Sequence, residues 1–130
     1  MMAVRSRVCL AAGVTVVAVA MTIAAIGSTA KSRVREISLV ARDMAFYADG
    51  DSQPNPVLRA TPGERLRITV TNNAPGMVHD LAIDAVSAAT GSLSVGQVAS
   101  IEFTVPEKIG SYEYRCRPHA LMMKGVLKVK

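Results

Sequence analysis

Residues 111–130 read SYEYRCRPHALMMKGVLKVK, and two different patterns meet in them. The first is period two. Tyr112 and Tyr114 lead along one side to Cys116, and Leu127 and Val129 alternate with Lys128 and Lys130, which describes a pair of half-buried strands. The second lies between them. Cys116-Arg117-Pro118-His119-Ala120-Leu121-Met122-Met123 has no strand alternation and concentrates a thiol, an imidazole and two thioethers in one short loop.

Upstream, the same alternation recurs. Leu66, Ile68 and Val70 alternate with Arg65, Arg67 and Thr69, and Ile101, Phe103 and Val105 alternate with Glu102 and Thr104. Shorter strand candidates are Glu36–Ala41, Val57–Ala60, Val78–Ile83 and Ser111–Cys116. Turn chemistry separates them at Thr61-Pro62-Gly63, Asn72-Asn73-Ala74-Pro75-Gly76, Val105-Pro106-Glu107 and Ile109-Gly110-Ser111. Asp49–Pro56 reads as a polar loop, and Ala85–Gly96 as either a short helical turn or an irregular connection. Seven or eight short strands at this spacing predict an all-β fold, a Greek-key β-sandwich.

The first thirty residues differ in kind. Arg5 and Arg7 precede an uncharged stretch from Val8 to Ile26, and Ser28-Thr29-Ala30 supplies small residues suited to cleavage. Residues 1–30 therefore read as an apolar targeting helix, either a signal peptide or a membrane anchor, and 31–130 as the domain. The stretch approaches the roughly 20 residues that a helix needs to span a bilayer, so residues 8–26 could tether the chain to an inner membrane. The flanking arginines favour a cytoplasmic N-terminus, which places the domain in the periplasm or another extracytoplasmic space.

Setting aside Arg5 and Arg7 lowers the net charge from +5 to +3. That is too mild to indicate a nucleic-acid partner. Cysteine usage narrows the reading further. Cys9 lies in the leader, so Cys116 is the one cysteine of the domain and has no intramolecular disulfide partner. In an oxidising compartment such a thiol is reactive, pairs between molecules, or binds metal.

A strand ending at Cys116 would pass into a turn fixed by Pro118, bringing His119 back beside the sulfur. Thiolate with imidazole suits copper or zinc, and neighbouring thioethers favour copper. His79, the one other histidine, follows the turn-rich loop Asn72–Gly76 at the start of a candidate strand, where a sandwich can bring it near the final loop. Cys116, His119, His79 and a weak axial methionine make the donor set of a mononuclear blue-copper centre with one ion per chain.

The run Tyr112–His119, followed by Met-Lys-Gly and an apolar strand, resembles the cupredoxins, the group that includes plastocyanin, amicyanin, pseudoazurin and azurin. Asn72-Asn73 before His79 is similar to that family's first-histidine loop. The resemblance covers roughly residues 34–130. It implies a Greek-key sandwich with copper near one end and one-electron transfer between Cu(I) and Cu(II). Met123 begins Met-Lys-Gly at the spacing of azurin-like loops, whereas Met122 has the spacing of amicyanin-like loops. Met123 is favoured as the axial ligand because Met-Xaa-Gly directly precedes the last strand in both loop types, with Met122 as the alternative.

Other chemistries fit less well. Haem attachment and a binuclear copper centre each need a second cysteine, and structural zinc usually takes four strong ligands. The chain is therefore expected to be no enzyme but a monomeric carrier exchanging electrons with a donor and an acceptor protein. Arg115, Arg117 and Lys124 flank the loop and could steer an acidic partner, although ordinary solvated charge explains them as well. A periplasmic Cu(I) chaperone or storage protein is the alternative, motivated by Met44 and Met77 beyond the two loop methionines. Both are otherwise expected to be packing or surface residues.

Overall fold

Alternating apolar residues become the two inner faces of a β-sandwich in the computed structural model, which describes residues 33–130. The targeting helix expected over residues 1–30 lies outside the described residues. Nine strands are described: β1 (Arg35–Arg42), β2 (Ala45–Ala48), β3 (Leu58–Ala60), β4 (Arg65–Asn72), β5 (Ala82–Ile83), β6 (Ala88–Ala89), β7 (Val98–Thr104), β8 (Gly110–Arg115) and β9 (Lys124–Val129). One sheet runs β2-β1-β4-β7 and the other β3-β9-β8-β5-β6. Both are mixed: β1 pairs with β4, and β3 with β9, in parallel, while the other pairings are antiparallel.

The core follows the period-two pattern. Leu66, Ile68 and Val70 of β4 are fully buried, and Ile101 and Phe103 lie beside them on β7. Across the sandwich they meet Tyr114 of β8 and Leu127 and Val129 of β9. The outward residues carry charge. Arg65 and Arg67 both bond Glu102 on the neighbouring strand, and Arg67 also reaches Glu36. Because side chains alternate between faces, a one-residue slip would turn this charged ladder into the core and fix the register against it.

The structure departs from the sequence pattern at two places and decides between the alternatives at a third. Strand β2 was not anticipated, because the reversal before it carries none of the usual Asn-Gly signal. Asp43 and Met44 nevertheless both adopt positive φ, 50° and 58°, the backbone that a tight two-residue hairpin requires. The candidate strand Val78–Ile83 survives only as Ala82–Ile83, with a single bridge between His79 and Leu93. The uncertain stretch Ala85–Gly96 holds the end of a 3-10 turn (Asp84–Val86) and the two-residue β6, which raises the number of strands above the seven or eight expected.

Candidate metal centre

Strand β8 ends at Arg115, and the chain leaves the sheet through Cys116 into a single 3-10 turn over Arg117–His119 with Pro118 within it. Proline at such a position has its φ preset and gives up no hydrogen bond that the turn needs. His119 N–H donates to Cys116 O at 3.2 Å, and the N–H groups of Met122 and Met123 donate to His119 O at 3.0 and 2.9 Å. The loop closes where Cys116 N–H donates to Met123 O at 2.9 Å, immediately before β9 begins. Cys116 and Met123 therefore face each other at the base of the loop. Met122, one residue earlier, does not share that position.

His79 arrives from the other side. Asn72, at the end of β4 and fully buried, donates through Nδ2 to Met77 O and Leu93 O at 2.9 and 2.8 Å. Its Oδ1 accepts the Ala74 N–H at 2.9 Å. One amide thus folds the 73–77 loop and ties it to Leu93, the residue that bridges His79. His79 completes the tie with paired backbone bonds to Leu93 at 3.1 and 2.7 Å.

The two segments bring His79, Cys116 and His119 together, with one ligating atom of each within 4.8 Å of the others. Cys116 Sγ lies 3.6 Å from His79 Nδ1 and 3.5 Å from His119 Nδ1. The imidazole rings meet edge-on, with centroids 4.9 Å apart. Cys116 and His79 are fully buried, whereas His119 is half-buried and reaches the surface. Met123 is fully buried and belongs to the core, while Met122 is 58% exposed.

Electrostatics suit a cation here. Burial, helped by the neighbouring His119, holds His79 below its ordinary pKa, so the ring stays neutral and keeps a nitrogen lone pair available. Burial also pushes the Cys116 thiol up, which favours the protonated form, and a bound cation would displace that proton. A buried thiol, two imidazoles converging on it and a thioether at the same loop base match the soft-to-borderline donors that copper takes.

Two supporting residues were not singled out by the sequence reading. Asp80, 3% exposed, accepts the Arg117 N–H through Oδ1 and Arg117 Nε–H through Oδ2, each at 2.7 Å. Asn55 donates from Nδ2 to Met122 O at 3.0 Å and accepts the Phe46 N–H at 3.1 Å, pinning the outer side of the loop to β2. Asp80 is signalled only by its place next to a histidine, and Asn55 by a positive φ of 49° that no sequence pattern reveals. The flanking arginines are also engaged: Arg115 pairs with Asp84 and Glu113, and Arg117 with Asp80.

Comparison with known proteins agrees with this geometry. Residues 60–130 match the family model described as copper binding proteins, plastocyanin/azurin family. Rusticyanin from Thiobacillus ferrooxidans superposes with a TM-score of 0.59 at 24% identity over 75% of this chain and 77% of that one. Auracyanin B gives 0.57 at 22% identity over 75% and 88%. Larger enzymes share the fold over part of their length. The chain spans 23% of Fet3p, a multicopper oxidase that functions in iron import (TM-score 0.57, 16% identity, 75% of this chain). It spans 42% of the copper nitrite reductase from Nitrosomonas europaea (0.59, 22% identity, 75% of this chain). No curated protein sequence matches the chain.

Proposed function

Because the chain belongs to the plastocyanin/azurin family of copper-binding proteins, we propose that it is an exported single-electron carrier rather than an enzyme. The observation that carries this reading is the convergence of His79, Cys116 and His119 on one buried point, with His119 alone reaching the surface. Cys116 and the two histidines would hold one copper ion, with Met123 as the axial sulfur. Met123 is favoured over Met122 by its burial and by its place opposite Cys116 at the loop base.

When bound, copper supplies a one-electron couple between Cu(I) and Cu(II). The chain's part is to keep the donors where both oxidation states can use them. Both ligand-bearing segments are tied by main-chain and buried side-chain hydrogen bonds, so little rearrangement accompanies the change of charge. Cys116 and Met123 sit inside the core and exclude water. His119 gives the shortest path outward, and around it Leu121 is 92% exposed and Met122 58% exposed. An apolar rim of this kind allows brief contact with a donor or acceptor protein and quick release. The flanking arginines are neutralised by their own pairs, which leaves Lys124 as the free charge beside the loop among the described residues.

Export to the periplasm or a similar compartment is proposed on the apolar, arginine-led segment over residues 1–30. The test of function is direct. Loaded with Cu(II), the full chain should absorb strongly in the visible, bleach with ascorbate and recover with ferricyanide. Cys116→Ser should abolish the band. A chain that took up copper but kept the band without Cys116 would refute the assignment.

A further inference from the structure

The two ends of the sandwich are charged differently. Strand β8 runs from Gly110 towards the Cys116–Met123 loop and β9 returns from it to Val129, so that loop and the turn at 105–109 lie at opposite ends, about 20 Å apart. At the loop end the arginines are paired: Arg42 with Asp43, Arg115 with Asp84 and Glu113, and Arg117 with Asp80. At the remote end Arg35 is spent on Glu64, and the ladder of Arg65, Arg67, Glu36 and Glu102 is neutral within itself. Arg33, Arg59, Lys108, Lys128 and Lys130 are exposed there and make no ion pair among the described residues. Glu107 is the one acid left to set against them, and a terminal carboxylate at Lys130 would add a second.

These bases are also crowded. Arg59 and Lys128 are register partners on β3 and β9 and both face outward. Like charges side by side on neighbouring strands repel, and an anion laid across them removes the cost. Lys130 lies two residues further along the same face and borders a cavity of about 260 Å³ together with Arg35 and Arg59. Beside this cluster the turn at 105–109 presents Ile109, 67% exposed, next to Lys108. The turn is held in place, since Val105 exchanges main-chain bonds with Gly63 and Glu64 and the Tyr112 hydroxyl donates to Lys108 O at 2.6 Å. Unpaired bases around one exposed aliphatic side chain suit a surface of anionic lipid: the bases meet phosphates and the aliphatic group enters the headgroup boundary.

The course of the chain favours lipid over an acidic protein as the occupant. Strand β1 starts at this end, with Arg35 beside Leu66, so the chain enters the domain here. Seven steps join Ile26, where the apolar stretch ends, to Arg33, and they include a further base, Lys31. Fully extended, that link reaches about 25 Å. We propose that this remote end docks on the anionic phospholipid headgroups of the membrane that holds residues 8–26, with Ile109 in the headgroup boundary, so that the copper loop faces away from the bilayer. The inference rests on the reading of residues 1–30 as a membrane-attached segment and is independent of the metal.

The chain has no tryptophan, so a single introduced one is the sole indole emitter. The full chain, with its copper reduced by ascorbate, is reconstituted into vesicles of phosphatidylcholine brominated on its acyl chains, with or without phosphatidylglycerol. Emission from Ile109→Trp should be quenched only where phosphatidylglycerol is present, and should recover in high salt. Emission from Leu121→Trp should be unquenched in both vesicles. Each base near an anionic surface strengthens binding about fivefold, so glutamine at Arg59, Lys128 and Lys130 together should lower the ratio of docked to undocked chain about a hundredfold. Lys124→Gln, which removes a base at the loop end, should leave the quenching as it was. An unchanged visible copper band in the triple variant shows that it folds. Quenching of Ile109→Trp that ignores phosphatidylglycerol, a triple variant quenched like the parent, or quenching of Leu121→Trp in its place would each overturn the proposal. A full chain that does not float with neutral vesicles would instead refute the anchor reading beneath it.

Discussion

Asp80 and Arg117, each directly following a proposed copper ligand, are bound to one another twice: the carboxylate accepts both the backbone N–H and the Nε–H of Arg117 at 2.7 Å. The side chain of Asp80 is 4% exposed and that of Arg117 is 51% exposed, so one partner is desolvated while the other still meets water. The pair spans the gap between the His79 segment and the Cys116–His119 loop. No metal is needed to make it, so it holds the two segments together before copper arrives. Its negative charge also lies beside the sulfur and opposes loss of the thiol proton, a smaller effect than burial.

Replacing Asp80 by asparagine tests both roles. An amide oxygen can still accept the Arg117 N–H, but the amide nitrogen then confronts Nε–H, donor against donor. The metal-free chain should lose about 1–3 kcal/mol, the range for a buried polar group left unsatisfied, as read by urea unfolding. In the copper-loaded chain, removing a negative charge near the centre favours Cu(I) over Cu(II), so the reduction potential should rise in a redox titration. Unchanged unfolding would mean that the pair does not hold the segments together, and a lowered potential would contradict the electrostatic argument.

The adjacent methionines should separate cleanly. Met123 is fully buried in the core, so Met123→Ala should cost about 2–5 kcal/mol in stability without metal, whereas Met122→Ala should stay within about 0.5 kcal/mol. The bond from Asn55 goes to the Met122 carbonyl, which a side-chain change leaves intact. In the loaded protein, Met123→Leu should move the visible spectrum and potential, and Met122→Leu should move neither. The reverse pattern would transfer the axial role to Met122.

Much of this was legible because strands and a loop ligand set are local signals. Leu66, Ile68 and Val70 announced β4 through alternation, and the run from Cys116 to Met123 announced a metal loop through its side-chain chemistry. The choice between Met122 and Met123 was only half legible, since it depends on which residue stands opposite Cys116 when the loop closes. Nonlocal features were hidden. Nothing in the sequence ties Asp80 to Arg117 or Asn55 to Met122, because those bonds join residues 37 and 67 positions apart. The β1–β2 hairpin was hidden for a different reason: Asp43 and Met44 take positive φ without a glycine to advertise it.

The end of the sheet remote from the loop should carry part of the acid sensitivity. Glu64 accepts from Arg35 and from the Thr61 N–H, and the Arg35 guanidinium holds its carboxyl below the usual carboxylate range. The unfolded chain therefore binds this proton more readily than the folded one. Glu64 contributes stability that is whole above the unfolded pKa and is lost as pH falls through the lower folded value. Comparing unfolding of the parent and Glu64→Gln across acid pH should show a difference above that window which shrinks within it. A gap of constant size would assign the effect to packing instead of ionisation.

Gly125 lies opposite Tyr114 in the β8–β9 register, two residues after Met123. A Cβ at this position would overlap Cζ and the hydroxyl of Tyr114 and come within 2.6 Å of Cε1. The ring has little freedom to yield. It is fully buried, stacks edge-on against Phe46 with centroids 5.7 Å apart, and donates its hydroxyl to Pro56 O at 2.6 Å. Gly125→Ala should therefore destabilise the chain by about 1–3 kcal/mol or more through overpacking. Paired with Tyr114→Leu, which removes the ring, the same alanine should cost much less, so the double variant should be more stable than the sum of the single losses implies. Strict additivity in that cycle would show that the alanine acts through backbone conformation, and that contact with Tyr114 does not require glycine at this position.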